Sequence, residues 1–268
     1  MEIRGNINFL NPMRSYNTAL LNKSKAGFSL VELSIVLVII GLLVGGVLVG
    51  KNLIHMAKLR NVITEFQAYQ AAINTFIGKY SFLPGDMPNA TEFWGVDGSG
   101  CPAGTGTTGT CNGDGDGSLG IVLEEHFLFW EHLSHAGLIK GNYLGAVAPS
   151  DHSQPATNYV PASKFSNAYW SFGHGGARPV NYGSLNPGIA LTLGADGFAS
   201  GRSCFGCGGV LRQEDAWGIN NKLDDGSGNT GKIRSDMLLS GRLVDDVCNS
   251  YDLTNEADKC VLGFVLSE

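Results

Sequence analysis

The stretch Lys25-Ala26-Gly27-Phe28-Ser29-Leu30-Val31-Glu32-Leu33 decides how the rest of the chain is read. A short basic, polar leader ends in glycine, and an almost purely apolar run begins at once. That run extends from Phe28 to Gly50, with Glu32 as its only charge. Its 23 residues suffice to cross a bilayer as a helix. A secretory signal peptide has a shorter apolar core closed by a small-residue cleavage site, and this run fits neither feature. A plain membrane anchor accounts for the length but not for Glu32, because a lone carboxylate in hydrocarbon is costly and calls for a function.

Beyond the run, Leu53, Met56, Leu59, Val62, Ile63, Phe66, Tyr69, Ile73, Phe76 and Ile77 recur at helical spacing, with charges and amides between them. Continuity from Phe28 predicts one helix of about 52 residues, roughly 78 Å long at 1.5 Å per residue. The stripe is expected to lie under a soluble domain. Leu83-Pro84-Gly85-Asp86-Met87-Pro88-Asn89 then predicts a loop that ends the helix.

The string from Gly27 to Leu33 resembles the processing site of type IV prepilins and type II secretion pseudopilins, and the resemblance covers roughly residues 23 to 80. It implies that a membrane-embedded prepilin peptidase cuts between Gly27 and Phe28, that the new amino terminus is N-methylated, and that Glu32 is the glutamate at the fifth mature position. It further implies that Glu32 pairs with the amino terminus of a neighbouring subunit, which would neutralise two buried charges at once. Many pilins carry a proline where this chain has Val49. Gly45, Gly46 and Gly50 lie there instead, each costing roughly 1 kcal/mol relative to alanine in a helix interior. They suit either a helix that stretches on assembly or close helix packing. The segment from Leu83 to Trp94 is similar to one found after the first helix in a subgroup of pilin-like proteins.

Removing 27 of the 268 residues would leave 241, enough for an anchor helix and one soluble domain. The formal charge is −6; the leader carries Arg4, Arg14, Lys23 and Lys25 against Glu2, a net +3, which leaves −9 for the rest. No basic stripe offsets that charge, so nucleic acid is not an expected partner. The Lys/Arg bias across the apolar run is nearly balanced and orients it weakly. The cysteines say more: all six lie beyond residue 100, as Cys101 and Cys111, Cys204 and Cys207, Cys248 and Cys260. Even, locally paired cysteines suggest disulfides in an oxidising compartment, with the three local pairs favoured. Cys204-Phe205-Gly206-Cys207 also has the spacing of a redox or zinc motif, although no second ligand pair lies nearby.

Asn112-Gly113-Asp114-Gly115-Asp116-Gly117-Ser118-Leu119 reads as the first half of a calcium loop, with oxygen ligands at alternate positions and glycine at the sixth. Its twelfth position is Leu123, followed by Glu124. The candidate ligands are Asn112, Asp114, Asp116, the Ser118 carbonyl and Glu124; alternating Asp and Gly also make ordinary solvated turns. Glu124 to Ile139 predicts a helix bearing His126, His132 and His135, expected on a partly exposed polar flank rather than on a metal. Residues 188–193 and 260–266 are strand-like, and 216–223 suit a short helix. The aromatics Tyr159, Phe165, Tyr169, Trp170, Phe172 and Tyr182 suit packing against a sheet, with carbohydrate stacking the other reading. No nucleophile elbow, phosphate-binding loop or zinc-protease motif is present, so no enzyme is expected.

The resulting expectation is an α+β fold: a long N-terminal helix, membrane-spanning in its first half, packed on a small antiparallel sheet with disulfide-stapled loops. The expected organisation is a leader at 1–27, a transmembrane or filament-core helix at 28–50, its amphipathic continuation at 51–80 and a globular pilin-like domain at 81–268. What the resemblance implies is a structural subunit of a type IV pilus or type II secretion pseudopilus, minor or specialised by its size. Its partners would be the prepilin peptidase, other pilin or pseudopilin subunits, an inner-membrane assembly platform and membrane lipid. It would sit single-pass in the inner membrane with a periplasmic domain, then in a surface or periplasmic filament. The competing reading is a membrane-anchored periplasmic ligand-binding domain that does not polymerise; a third is a redox protein using Cys204 and Cys207.

Overall fold

The first helix, α1, runs without a break from Leu30 to Tyr80, 51 residues, in the computed structural model of the protein. The structure describes residues 27–98, 101, 109–117, 119, 125–145, 155–172, 190–199, 202–235, 248, 251–254 and 259–266; of 196–199 and 202–207 it describes the backbone alone. Ser29 starts α1, its hydroxyl accepting the Val31 N–H at 3.2 Å. Ser81 ends it in the left-handed region, at φ 62°, with its N–H on the Ile77 carbonyl. The Pro84-Gly85 turn follows. Gly85 has φ +89°, and a Cβ there would collide with the Glu125 carbonyl, so both conformation and space require glycine.

The chain divides into two units between Lys51 and Asn52, inside α1. In the first, the apolar side chains from Phe28 to Val49 are exposed. This is the one helix among the described residues long and apolar enough to cross a membrane. A Cβ at Gly45, Gly46 or Gly50 would meet nothing within 4 Å, so no close approach within the subunit explains these glycines.

In the second unit the predicted stripe divides. Val62, Phe66, Ile73 and Phe76 are buried, and Leu59, Ile63, Tyr69 and Ile77 pack around them, but Leu53 and Met56 stay exposed. The stripe packs on a sheet of five strands. Strands β1 (Tyr169–Phe172), β2 (Ala190–Ala199), β7 (Leu262–Val265) and β5 (Ile233–Arg234) lie in the order β1-β2-β7-β5, and β3 (Arg202–Gly208) also pairs with β2. Every pairing is antiparallel, with Leu191 opposite both Phe172 and Phe264. β2 pairs with β1 and β7 through Ala190–Gly194 and with β3 beyond it, with a register shift between Ala195 and Gly197 in the β3 pairing. A second, two-stranded sheet joins β4 (Leu211–Arg212) to β6 (Lys259–Cys260).

The helix meets the sheet through aromatics. Phe66 stacks on Phe264 with ring centroids 4.6 Å apart, and Tyr69 sets its ring edge-on to both Trp130 and Trp170. Tyr159, Trp170 and Phe172 are buried, and Phe165 and Tyr169 pack against the core, so these side chains are packing residues rather than a carbohydrate platform. Tyr182 lies outside the described residues. Three further α-helices lie in the unit among the described residues, α2 (Ala90–Trp94), α3 (Glu125–His135) and α4 (Gln213–Leu223). α3 stops four residues short of the predicted Ile139, where Gly137 turns left-handed at φ 72°.

Disulfides join Cys101 to Cys111 and Cys248 to Cys260, closing sequence separations of 10 and 12 residues. The side chains of Cys204 and Cys207 lie outside the described residues; their backbone is in β3, a strand. The architecture is the pilin-like α+β arrangement of a long apolar helix, a small antiparallel sheet and disulfide-stapled loops.

Candidate functional site

Glu32 follows Ser29 by three positions, the spacing at which a helix can close its own first turn. The Ser29 N–H donates to Glu32 Oε2 at 2.9 Å while the Ser29 hydroxyl accepts from Val31, a reciprocal capping box. Four N–H groups at a helix start lack partners inside the helix, and in hydrocarbon water cannot supply them. Glu32 therefore acts locally, its carboxylate held back over the first turn, next to the Phe28–Ser29 peptide. Gly27 and Phe28 precede the helix in irregular, exposed backbone.

The candidate cation loop is built differently from the sequence pattern. Asp114 and Asp116 do come together, but their companion is Asp86 from the Pro84-Gly85 turn, and one oxygen of each carboxylate lies within 4.8 Å of the others. Asp86 is 1% exposed, and its two oxygens accept the Gly115 and Gly117 N–H groups at 2.8 and 3.0 Å. Burial raises its carboxyl above the ordinary range, against the lowering effect of those two bonds. The Asn112 side-chain oxygen accepts the Thr91 N–H at 2.8 Å and so serves the start of α2. Ser118 and Glu124 lie outside the described residues. Their neighbour Glu125 takes the Asp114 N–H on Oε1 at 2.9 Å. Gly113 passes so close to the turn that a Cβ would collide with the Gly85 carbonyl. Three carboxylates suit a hard divalent cation such as calcium.

The histidines of α3 depart most from expectation. His126 and His132 are buried, His132 at 0% exposure, and only His135 is on a partly exposed flank. Gly85 N–H donates to His132 Nδ1 at 2.9 Å, so Nε2 carries the proton and donates to the Cys111 carbonyl at 3.1 Å. One neutral imidazole thus ties the proline turn to the disulfide loop. Burial pushes its pKa down to about 4. His135 Nε2 holds the Gly109 carbonyl of the same loop at 3.0 Å. Glu131, beside His132 in sequence, accepts the Thr110 hydroxyl at 2.6 Å, and burial raises its carboxyl to about 7.

Two polar clasps fasten α1 inside the second unit. Glu65 accepts the Trp170 indole N–H at 2.8 Å, the Ser163 hydroxyl at 2.6 Å and the Lys164 N–H at 2.9 Å. His55 Nε2 lies 2.7 Å from Asp215 Oδ1, and Arg212 Nε holds the other oxygen of Asp215 at 3.2 Å. Sequence reading missed Glu65, Asp86 and Asp215, each an ordinary acidic residue in its own stretch. Only their placement beside distant partners distinguishes them.

Among comparisons with known proteins, residues 22–48 match the family model described as the prokaryotic N-terminal methylation motif, the prepilin-type signature of type IV pilins and pseudopilins. No curated protein and no solved structure matches the chain. The motif supports a pilin- or pseudopilin-like precursor that a prepilin peptidase processes and that associates with other pilin subunits. It points to a structural subunit rather than an enzyme, and with the apolar helix it suits an inner-membrane anchor.

Proposed function

We propose that this chain is a prepilin-type subunit, cut between Gly27 and Phe28, N-methylated, and assembled into a type IV pilus or a type II secretion pseudopilus. The observation that carries the reading is the methylation motif running directly into an exposed apolar helix with one carboxylate near its start. Residues 1–27 are then the leader, 28–50 the membrane and filament-core helix, 51–80 its continuation under the domain, and 81–268 the periplasmic domain. Cleavage would place a new amine on Phe28, next to the residue whose N–H Glu32 already holds. In a filament the carboxylate would pair with that amine on a neighbouring copy, replacing lipid contact with a neutralised ion pair. The protein would wait in the inner membrane and be drawn into the filament by an assembly platform. Its length favours a minor or specialised subunit. Calcium would enter as a structural ligand at Asp86, Asp114 and Asp116, fixing the loop after α2 to the turn after α1.

Intact mass of protein purified from its native membrane tests the processing. The expected chain starts at Phe28, carries one methyl group and lacks six hydrogens for three disulfides. A chain starting at Met1 would leave only an anchored domain. Assembly is tested with Glu32→Ala, expected to be folded and inserted but poorly incorporated; incorporation at the parental level would overturn the role given to Glu32.

A further inference from the structure

From Asn52 onward, the large apolar side chains left exposed among the described residues fall into two places. The first is a groove of about 430 Å³ between α1 and α4, with Met56, Trp217 and Leu253 exposed along it. Leu53 and Ile54 precede it on α1. The second is a knob on and just after α2, formed by Phe93 and Val96, 55% and 67% exposed.

The two places hold opposite charges that nothing in the molecule neutralises. In the groove, Glu214 and Asp215 are both paired with Arg212, and Asp215 with His55 as well. Arg60 and Lys222 line the same groove, are exposed and make no ion pair among the described residues. Beside the knob, Lys79 is occupied over the Tyr80 ring, 4.9 Å from its centroid. Glu92 is exposed, takes the Asn89 side-chain amide at 3.3 Å, and makes no ion pair among the described residues.

Knob and groove cannot meet within one molecule. Phe93 sets its ring edge-on to Tyr80 at the end of α1, with centroids 5.3 Å apart. Arg60 lies twenty positions earlier on the same unbroken helix, about 30 Å away at 1.5 Å per residue. Single exposed apolar side chains are ordinary on a protein surface. An apolar groove with unpaired cations and an apolar knob with an unpaired carboxylate, on one chain and held apart, are complementary halves of a contact between chains.

We propose that Phe93 and Val96 of one copy of this chain seat in the groove of a second copy, with Glu92 on Arg60 and Lys222. The two halves differ, so each seated copy leaves its other half open, and the contact repeats head to tail instead of closing as a twofold pair. This contact rests on the filament reading and deepens it, adding a junction between soluble domains to the packing of the apolar runs.

The test places the photo-crosslinking residue p-benzoylphenylalanine at position 93 of the full chain in its native cells, and collects membranes and sheared surface filaments separately. The expected result is an adduct between two copies that maps to the peptide holding Met56 and Arg60 or the one holding Trp217 and Lys222. Glu92→Lys should lower the adduct yield about fivefold, the upper end for an exposed ion pair. Adding Arg60→Glu and Lys222→Glu to that variant should restore it, which a merely damaged fold would not do. A fall that the swap does not restore overturns the proposal, as do adducts confined to other proteins. Filaments that contain the chain but give no such adduct overturn the contact and leave the filament reading standing. An adduct between copies in the membrane without any filament keeps the contact and overturns the filament reading; neither adduct nor filament overturns both.

Discussion

Single residues in this protein carry opposing pH dependences. His132 has an ordinary pKa of 6.5 unfolded and about 4 folded, so its stabilisation is complete above 6.5 and is lost as pH falls toward 4. Glu131 runs from 4.5 unfolded to about 7 folded, so its stabilisation is complete below 4.5 and is lost as pH rises through 7. Between about pH 4.5 and 6.5 the two slopes oppose each other. We therefore expect Glu131→Gln, compared with the parent by urea unfolding, to add a stability that grows as pH rises over 4.5–7. His132→Gln should add one that grows as pH falls over 6.5–4. Each difference approaches about 3 kcal/mol at the far end of its window, by linkage at 1.36 kcal/mol per pKa unit. Curves parallel to the parent in both variants would remove these groups from the account. Neither residue is marked in the sequence: His132 sits in a helical pattern that suits a polar flank as well as a core.

At the scale of elements, α1 depends on a few anchor points within the second unit. Glu65 takes three hydrogen bonds from the Ser163–Trp170 region. Glu65→Ala leaves the indole N–H of the buried Trp170 without its acceptor, which costs about 1–3 kcal/mol, while the exposed Lys164 amide turns to water. We expect a loss of about 1–3 kcal/mol in chemical denaturation, with Glu65→Gln losing less because it keeps an acceptor. Phe66→Ala tests the apolar side of the same contact and should cost about 3–5 kcal/mol by removing the ring stacked on Phe264. The helix itself was legible in advance from its period, and the register of the strands it packs on was not. Residues 188–193 and 260–266 were recognisable as strands, but their pairing through Leu191 and Phe264 depends on a long-range fit. The short β5 and β6 have too few residues to show any alternation.

For the whole molecule, the staples set how much stability the small sheet must supply. Breaking the Cys248–Cys260 link with a double Ser substitution should cost about 2–4 kcal/mol, read as a lower denaturation midpoint, with a steeper denaturant slope because the unfolded chain is less constrained. Calcium at the Asp86, Asp114 and Asp116 cluster should raise the melting temperature. Saturation at a hundredfold excess over Kd corresponds to about 2.7 kcal/mol, and Asp86→Asn should abolish the response. A melting temperature indifferent to calcium and chelator would leave those carboxylates as turn residues only.

What the amino-acid order determined by itself was everything local or periodic: the methylation motif at residues 22–48, the apolar run with Glu32 at its start, the long helix, and the loop that ends it. These depend on side chains a few residues apart, and helix geometry converts sequence spacing directly into spatial position. Tertiary structure alone decided which acidic and histidine side chains are buried, and against what. Asp86 joins Asp114, Glu65 meets Trp170, and His132 bridges Gly85 and Cys111 across separations of 28, 105, 47 and 21 residues. The physical reason is that a polar side chain acquires its role from the partners that satisfy it once water is excluded, and those partners are chosen by the packing of the whole chain.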